Sequence, residues 1–583
     1  MRRLLFAVLL LGGVVTVPTT AAARAEKITF TVGQLQNVDS LNVTVGGLVI
    51  DYEVWNLIWP VLTDMAAKDF SAQPSMAESW TSSADKLTWT YKMRSGMKWS
   101  DGQALTAEDV KYTIDRANEE KWNSHVTVTG NLTAKIVDPT TLEITTSVPD
   151  PRLPNLGAYI MPKHIYEKVS AADLPNYTAE DKMGGGPFMI GEVQKDFTRL
   201  VRNPNWFGKK PAMDEVIFRF YADANAEFQA LKSGEIDALD GVPEQSYASL
   251  KDSKEIAGIA GNQGGFSELG MNSGCSSSPG DGNPALTDKK VRQAINYAID
   301  RDLLVEKTLV GHGIPGTAIV PSADPSWDLK VPDGKLYKYD PAKAKALLDE
   351  AGWKDSNGDG VRDKDGKDLK LRYFDRTEGD GGQNTDFITG WLKDVGIATT
   401  VTSMDDDALT AALGQNQFDL FTWGWVPFVD PDAELSYFTK SQATTNPEAV
   451  GYNDANWCND EYDKLYEQQH VELDPAKRHA TVQKMLEIFY EEAPYAVLYK
   501  YDNLQAIRSD RWENFVRQPA DTGPVLFTNT SPAYLELRQK GGGGSSGGGS
   551  AGLWAGAGVA AVAIAGGGLW FRNRRKGSID ERE

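Results

Sequence analysis

The densest run of metal-type ligands is Asp355-Ser356-Asn357-Gly358-Asp359-Gly360-Val361-Arg362-Asp363. It sets oxygen-bearing side chains at loop positions 1, 3, 5 and 9 with glycine at 6, the spacing of a calcium loop. The closing carboxylate belongs at position 12, where Gly366 stands, and Asp365 is one place early. A Gly/Asp-rich turn entering a hairpin fits the run better, with Lys364-Asp365-Gly366-Lys367 as its second turn. Asp355, Asn357, Asp359 and Asp363 are therefore a weak calcium candidate, and no other metal is expected. The five histidines (His125, His164, His312, His470 and His479) form no HExxH pair. No GxSxG elbow and no GxxxxGK[ST] loop occurs. Acidic pairs abound among 81 carboxylates, but most must be solvated surface. Nothing asks for a cofactor, and the expectation is a protein that is not an enzyme.

The chain has 583 residues, 41% hydrophobic and 24% charged, enough for two to four domains with large cores. Its net charge is −21. Setting aside residues 1–25 (+3) and 572–583 (+2) leaves −26 on the part between. So acidic a body is ill suited to nucleic acid, whose phosphates need a basic surface.

The two ends read as addresses. Arg2-Arg3, the apolar run Leu4–Val17 and the small residues Ala21–Ala25 follow the order of a secretory signal over 1–25. Gly541–Ser550 reads as a flexible linker that spans roughly 17 Å root-mean-square. Ala551–Phe571 carries no charge over 21 residues, with Trp554 and Trp570 near its ends. That is the length of a single membrane span. The basic start of the tail 572–583 then belongs in the cytoplasm and the large body outside. In an exported chain the only two cysteines, Cys275 and Cys458, are expected to pair.

Around these residues the periodicity predicts intermixed strands and helices. Leu87, Trp89, Tyr91 and Met93 alternate with polar residues as a half-buried strand. Thr106-Ala107-Glu108-Asp109 is a capping box. Val291, Ala294, Ile295, Ala298 and Ile299 form one helical face. Asp340-Pro341 and Asp474-Pro475 open two more helices. The class is α/β or α+β.

In order along the chain stand Met76-Ala77-Glu78-Ser79-Trp80, Trp99-Ser100-Asp101-Gly102, Gly184-Gly185-Gly186-Pro187-Phe188 and Arg202-Asn203-Pro204-Asn205-Trp206. Gly234-Glu235-Ile236-Asp237, Val291-Arg292-Gln293-Ala294-Ile295 and Ala351-Gly352-Trp353 follow. Over residues 27–538 this series resembles the family 5 extracellular solute-binding proteins, the peptide and nickel receptors of ABC importers. The resemblance implies an α/β, two-lobed, periplasmic-binding-protein-like fold with a hinge and an extra subdomain in the first lobe. Lobe I would hold 26–265 plus 502–540, and lobe II 266–501. A C-terminal transmembrane helix would be added to that fold.

The resemblance also implies that one cleft wall follows Trp423-Gly424-Trp425-Val426-Pro427-Phe428-Val429-Asp430-Pro431. Trp423, Trp425 and Phe428 offer flat, rigid surface for a tolerant pocket. Peptide-binding relatives carry an acid in this loop to meet the ligand's ammonium, but that place falls near uncharged Pro427. Asp430 is the candidate substitute, with Asp405, Asp406 or Asp407 or a ligand without a free amine as alternatives. Gln36, in Gln34–Asn37, and Asn272 are candidates for hydrogen bonds to ligand backbone. The implied function is capture of a peptide, foremost an oligopeptide, for ABC permease and ATPase subunits at the cell membrane. The rivals are a membrane-anchored sensor for a peptide or oligosaccharide without a transport role, and an anchored hydrolase.

Overall fold

A computed structural model describes residues 27–38, 40–44, 49–120, 132–177, 183–276, 278, 280–377, 381–426, 428–444, 451–526 and 532–541. The signal 1–25, the linker beyond Gly541, the span 551–571 and the tail 572–583 lie outside the described residues. Among the described residues no helix is long and apolar enough to cross a membrane.

Local signals become elements close to where their chemistry places them. Thr106 opens the helix Ala107–Glu120 by donating its backbone N–H to Asp109 Oδ2 at 2.9 Å. The helix Lys289–Ala298 buries Val291, Ala294, Ile295 and Ala298 completely. Asp340 caps Pro341–Glu350 through Lys343 N, and Asp474 caps Pro475–Glu492 through Ala476 and Lys477 N. These carboxylates satisfy amides that have no partner inside the helix.

Among the described residues, eleven strands make one sheet. In chain order they are β1 Thr29–Gln34, β2 Phe188–Val193, β3 Phe197–Arg202, β4 Glu215–Phe220, β5 Ala238–Asp240 and β6 Ala257–Met271. After them come β7 Gly313–Pro315, β8 Lys370–Arg376, β9 Ala398–Met404, β10 Leu420–Trp425 and β11 Tyr495–Ile507. Their spatial order is β9-β8-β10-β6-β11-β5-β1-β4-β3-β2, with β7 also on β11. Ala77–Ser82, Thr88–Met93, Leu132–Asp138 and Thr141–Thr146 form a separate four-stranded antiparallel sheet. Tyr91 and Met93 point into its core.

The hydrophobic cores divide this sheet into two lobes. One large core draws on residues between Phe30 and Ile259 and on Ile507, Trp512, Val525, Leu526, Tyr534 and Leu537 near the chain end. Two others draw on residues between Phe266 and Tyr499. Among the described residues only β6 and β11 run long enough to belong to both. Their ladder changes register between Gly261 and Gly265. Gly265 has φ +155°, and a Cβ there would sit 2.2 Å from Tyr501 Oη and 2.4 Å from the Trp425 carbonyl. Only glycine lets three strands approach so closely at the crossing.

Candidate functional site

Strand polarity locates the site. β6 runs out of the first core into the second. β5 and β6 are both antiparallel to β11, and β1 is parallel to β5, so the carboxyl ends of β1 and β5 point toward the second lobe. β10 is antiparallel to β6 and parallel to β8, which is parallel to β9. Their carboxyl ends therefore point back at the first lobe. Asp240 lies level with Gln505 of β11, and Trp425 with Phe266, itself level with Lys500. Five residues of β11 separate these levels, roughly 17 Å at the rise of an extended strand. Carboxyl ends of parallel strands are where α/β proteins bind ligands, because loops there leave a crevice. Here two such edges face one another across β6 and β11, the two strands that, among the described residues, run through both lobes.

On the second-lobe edge, Phe421, Trp423 and Trp425 alternate along β10 into a single core, as strand period demands. Both tryptophans are 1% exposed. Trp425 stacks on Tyr437 at 5.1 Å, and Tyr437 on Tyr452 at 4.9 Å. The Arg376 guanidinium, at the carboxyl end of β8, lies 4.5 Å above the Trp423 ring. The aromatic wall expected from sequence is thus sealed by its own neighbours. Phe428 is half-buried against the same core, and its carbonyl accepts from Ala323 N at 2.7 Å. Pro427 lies outside the described residues.

The acidic candidates have structural partners. Asp430 caps the helix Pro431–Tyr437 through Asp432 N and grips Arg478 with both oxygens, at 2.8 and 2.6 Å. Asp405 caps Asp406–Gly414 through Ala408 N. The side chains of Asp406 and Asp407 lie outside what is described. Asn272 is buried, donating to the carbonyls of Asn416 and Phe418 and accepting from Gly274 N and Asn456 Nδ2. It ties β6 to the segment before β10. Gln36 is exposed beyond the end of β1. Cys275 and Cys458 are joined in a disulfide with Cα atoms 5.2 Å apart.

The Asp355–Asp363 run folds as successive side-chain-to-backbone turns. Asp355 accepts from Gly358 and Gly360 N, and Asp359 from Val361 N. Asp363–Lys364 and Lys367–Asp368 then pair as a hairpin. Among the described residues no cluster of three His, Cys, Asp or Glu side chains is placed to hold a metal ion.

Sequence reasoning missed the first-lobe edge. Glu53 is 6% exposed and accepts from Tyr534 Oη at 2.5 Å and from Gln34 Nε2 at 3.0 Å. Burial, reinforced by the Asp240 charge, pushes its carboxyl up to about 7 against the pull of Tyr534 and Gln34. Burial also raises Asp240, the last residue of β5, to about 6. Glu227, on the helix Ala224–Ser233, is wholly buried with neither oxygen hydrogen-bonded among the described residues. Burial and the Asp240 charge push it up to about 8. No spacing marked these three among so many acids. Arg376 carried no distinguishing signal, being one of three cations on a seven-residue strand.

Two α/β lobes joined by a pair of long strands, with opposed carboxyl edges, define a two-lobed solute-binding protein. The sequence comparisons agree. The profile of the bacterial extracellular solute-binding proteins, family 5 (middle region), matches residues 71–446, and the chain belongs to that family. It is 28% identical over 472 residues to the oligopeptide-binding protein AppA of Bacillus subtilis, covering 78% of this chain and 83% of that one. To the glutathione-binding protein GsiB of Escherichia coli O1:K1 it is 29% identical over 475 residues, with 78% and 85% covered. The AppA structure in complex with a nonapeptide superposes with a TM-score of 0.71 at 25% identity, covering 88% and 98% of the two chains. NikZ of Campylobacter jejuni in complex with Ni(L-His) gives 0.73 at 22%, covering 88% and 99%.

Proposed function

We propose that this protein captures a peptide, foremost an oligopeptide, between its lobes and delivers it to the permease and ATPase subunits of an ABC importer. The opposed carboxyl edges carry the reading, since they leave a crevice flanked by strand ends whose backbone groups suit an extended chain. The oligopeptide- and glutathione-binding relatives supply the ligand class. Binding is noncovalent, and closure about the glycine-rich crossing of β6 and β11 excludes water.

In this reading lobe I comprises 26–265 with 502–540, and lobe II comprises 266–501. Arg376 meets a ligand carboxylate, for which a guanidinium has matched geometry. Trp423 and Trp425 stiffen the wall behind it, and Phe428 and Gln36 stand nearer the opening. Asp430 is committed to Arg478, so the ammonium, if the ligand has one, is met on the first-lobe edge beside Asp240.

The signal 1–25 directs export, and the span 551–571 holds the body outside the membrane on its linker. Deleting 541–583 is expected to release the body into the medium with ligand binding intact. A truncated protein that stays with the membrane would refute the anchor.

A further inference from the structure

The lobes also touch through side chains outside the crossing strands. Arg152 lies in the segment after the four-stranded sheet, which is rooted in the first core: Leu153 is 1% exposed, and its carbonyl accepts from Tyr91 Oη at 2.5 Å. Asp432 lies on the helix Pro431–Tyr437, rooted in the other lobe by Leu435 and Tyr437. Arg152 Nη1 reaches Asp432 Oδ2 at 3.2 Å across 280 residues of sequence. Beside the pair is a cavity of about 290 Å³ with Trp89, Pro151 and Pro154 on one side and Trp327, Pro475 and Arg478 on the other.

Both ends of this contact are held by their own lobe. Asp150 grips Arg152 with both oxygens, at 2.9 and 2.7 Å from Nε and Nη2. Asp432 Oδ1 accepts from Gln469 Nε2 at 2.7 Å and His470 Nδ1 at 2.8 Å. The Asp432 side chain is only 5% exposed, so separating the lobes would cost it a cationic partner while leaving it ionised by the others. An ion pair whose ends are fixed before they meet loses little side-chain entropy on forming, unlike an ordinary surface pair.

We infer that Arg152 is a positioning residue for capture: its guanidinium bridges Asp150 and Asp432 only when the lobes are closed, and so latches the closed form. Because Asp432 follows the cleft-wall segment by two residues beyond Asp430, the latch also fixes that wall against the first lobe. The inference rests on the reading that the lobes open and close.

The test is an electron–electron spin distance measurement on the full chain in detergent micelles, stripped of bound solute and refolded. Spin labels go on Lys135→Cys in the first lobe and Lys464→Cys in the second, both exposed positions. The latch predicts two distances in the parent protein. Arg152→Gln should lower the closed-to-open ratio by up to roughly fivefold, the range for a partly exposed pair. Arg152→Lys should restore part of it. Two distances with an unaltered ratio in Arg152→Gln would overturn the latch and leave lobe movement standing. A single distance common to every variant would overturn both.

Discussion

Arg478 holds Asp430 through two parallel hydrogen bonds, at 2.8 and 2.6 Å, and the Arg478 side chain is 7% exposed. This pair decides how the loop after β10 is used. The acid that the sequence offered for a ligand ammonium is here paired with Arg478, clamping the loop to the long helix Pro475–Glu492. Asp430→Asn would remove the charge facing a buried guanidinium that keeps Gln469 Oε1 at 3.2 Å. It should cost about 1–3 kcal/mol in denaturant unfolding. Ligand binding by the surviving folded protein should persist, whereas a counter-ion role would predict stable protein that no longer binds.

The Cys275–Cys458 bond closes a loop of sequence separation 183 and ties the segment after β6 to the helix Asp460–Val471. Replacing both cysteines by serine should lower stability by about 2–5 kcal/mol. Thermal unfolding with and without reductant checks this, and the double variant should respond to neither condition.

Glu227 makes stability fall as pH rises. Its carboxyl binds a proton more tightly in the folded state, with a folded value of about 8 against 4.5. Its contribution is therefore complete below pH 4.5 and is lost as pH climbs through about 8. Glu227→Gln removes the titration. Relative to the parent, the variant should gain on the order of 3 kcal/mol between pH 5 and pH 8.5 in urea unfolding. A pH-independent difference would contradict the assignment.

His470 has the same sign at smaller scale. Its hydrogen bond to Asp432 raises it above 6.5 despite burial. The stabilisation is present below pH 6.5 and is lost as pH rises through the higher folded value. His470→Asn should thus destabilise more at pH 5.5 than at pH 8.5, read from paired melting curves.

How far the sequence spoke depended on distance along the chain. The capping carboxylates Asp340 and Asp474 and the apolar face from Val291 to Ala298 act within one or two turns, so their types alone announce helices. The strand through Trp89, Tyr91 and Met93 is equally local. The opposed edges are not, since they depend on β11 lying between β5 and β6, a pairing of Gln505 with Asp240 and Ile259 that no periodicity encodes. Trp423 and Trp425 were legible as a rigid aromatic pair, but their closure beneath Arg376 and Tyr437 required tertiary contacts. Asn272 looked available because three of its four partners, Asn416, Phe418 and Asn456, come from segments far away in sequence. Glu53 and Glu227 were hidden for the opposite reason: burial alone distinguishes them from the solvated acids.

The central claim, a tolerant peptide receptor, is tested most directly by native mass spectrometry of the protein purified without denaturation from rich medium. The account predicts a ladder of bound masses spaced by amino-acid residues. A single sharp mass, or a ladder of hexose units, would contradict the peptide assignment.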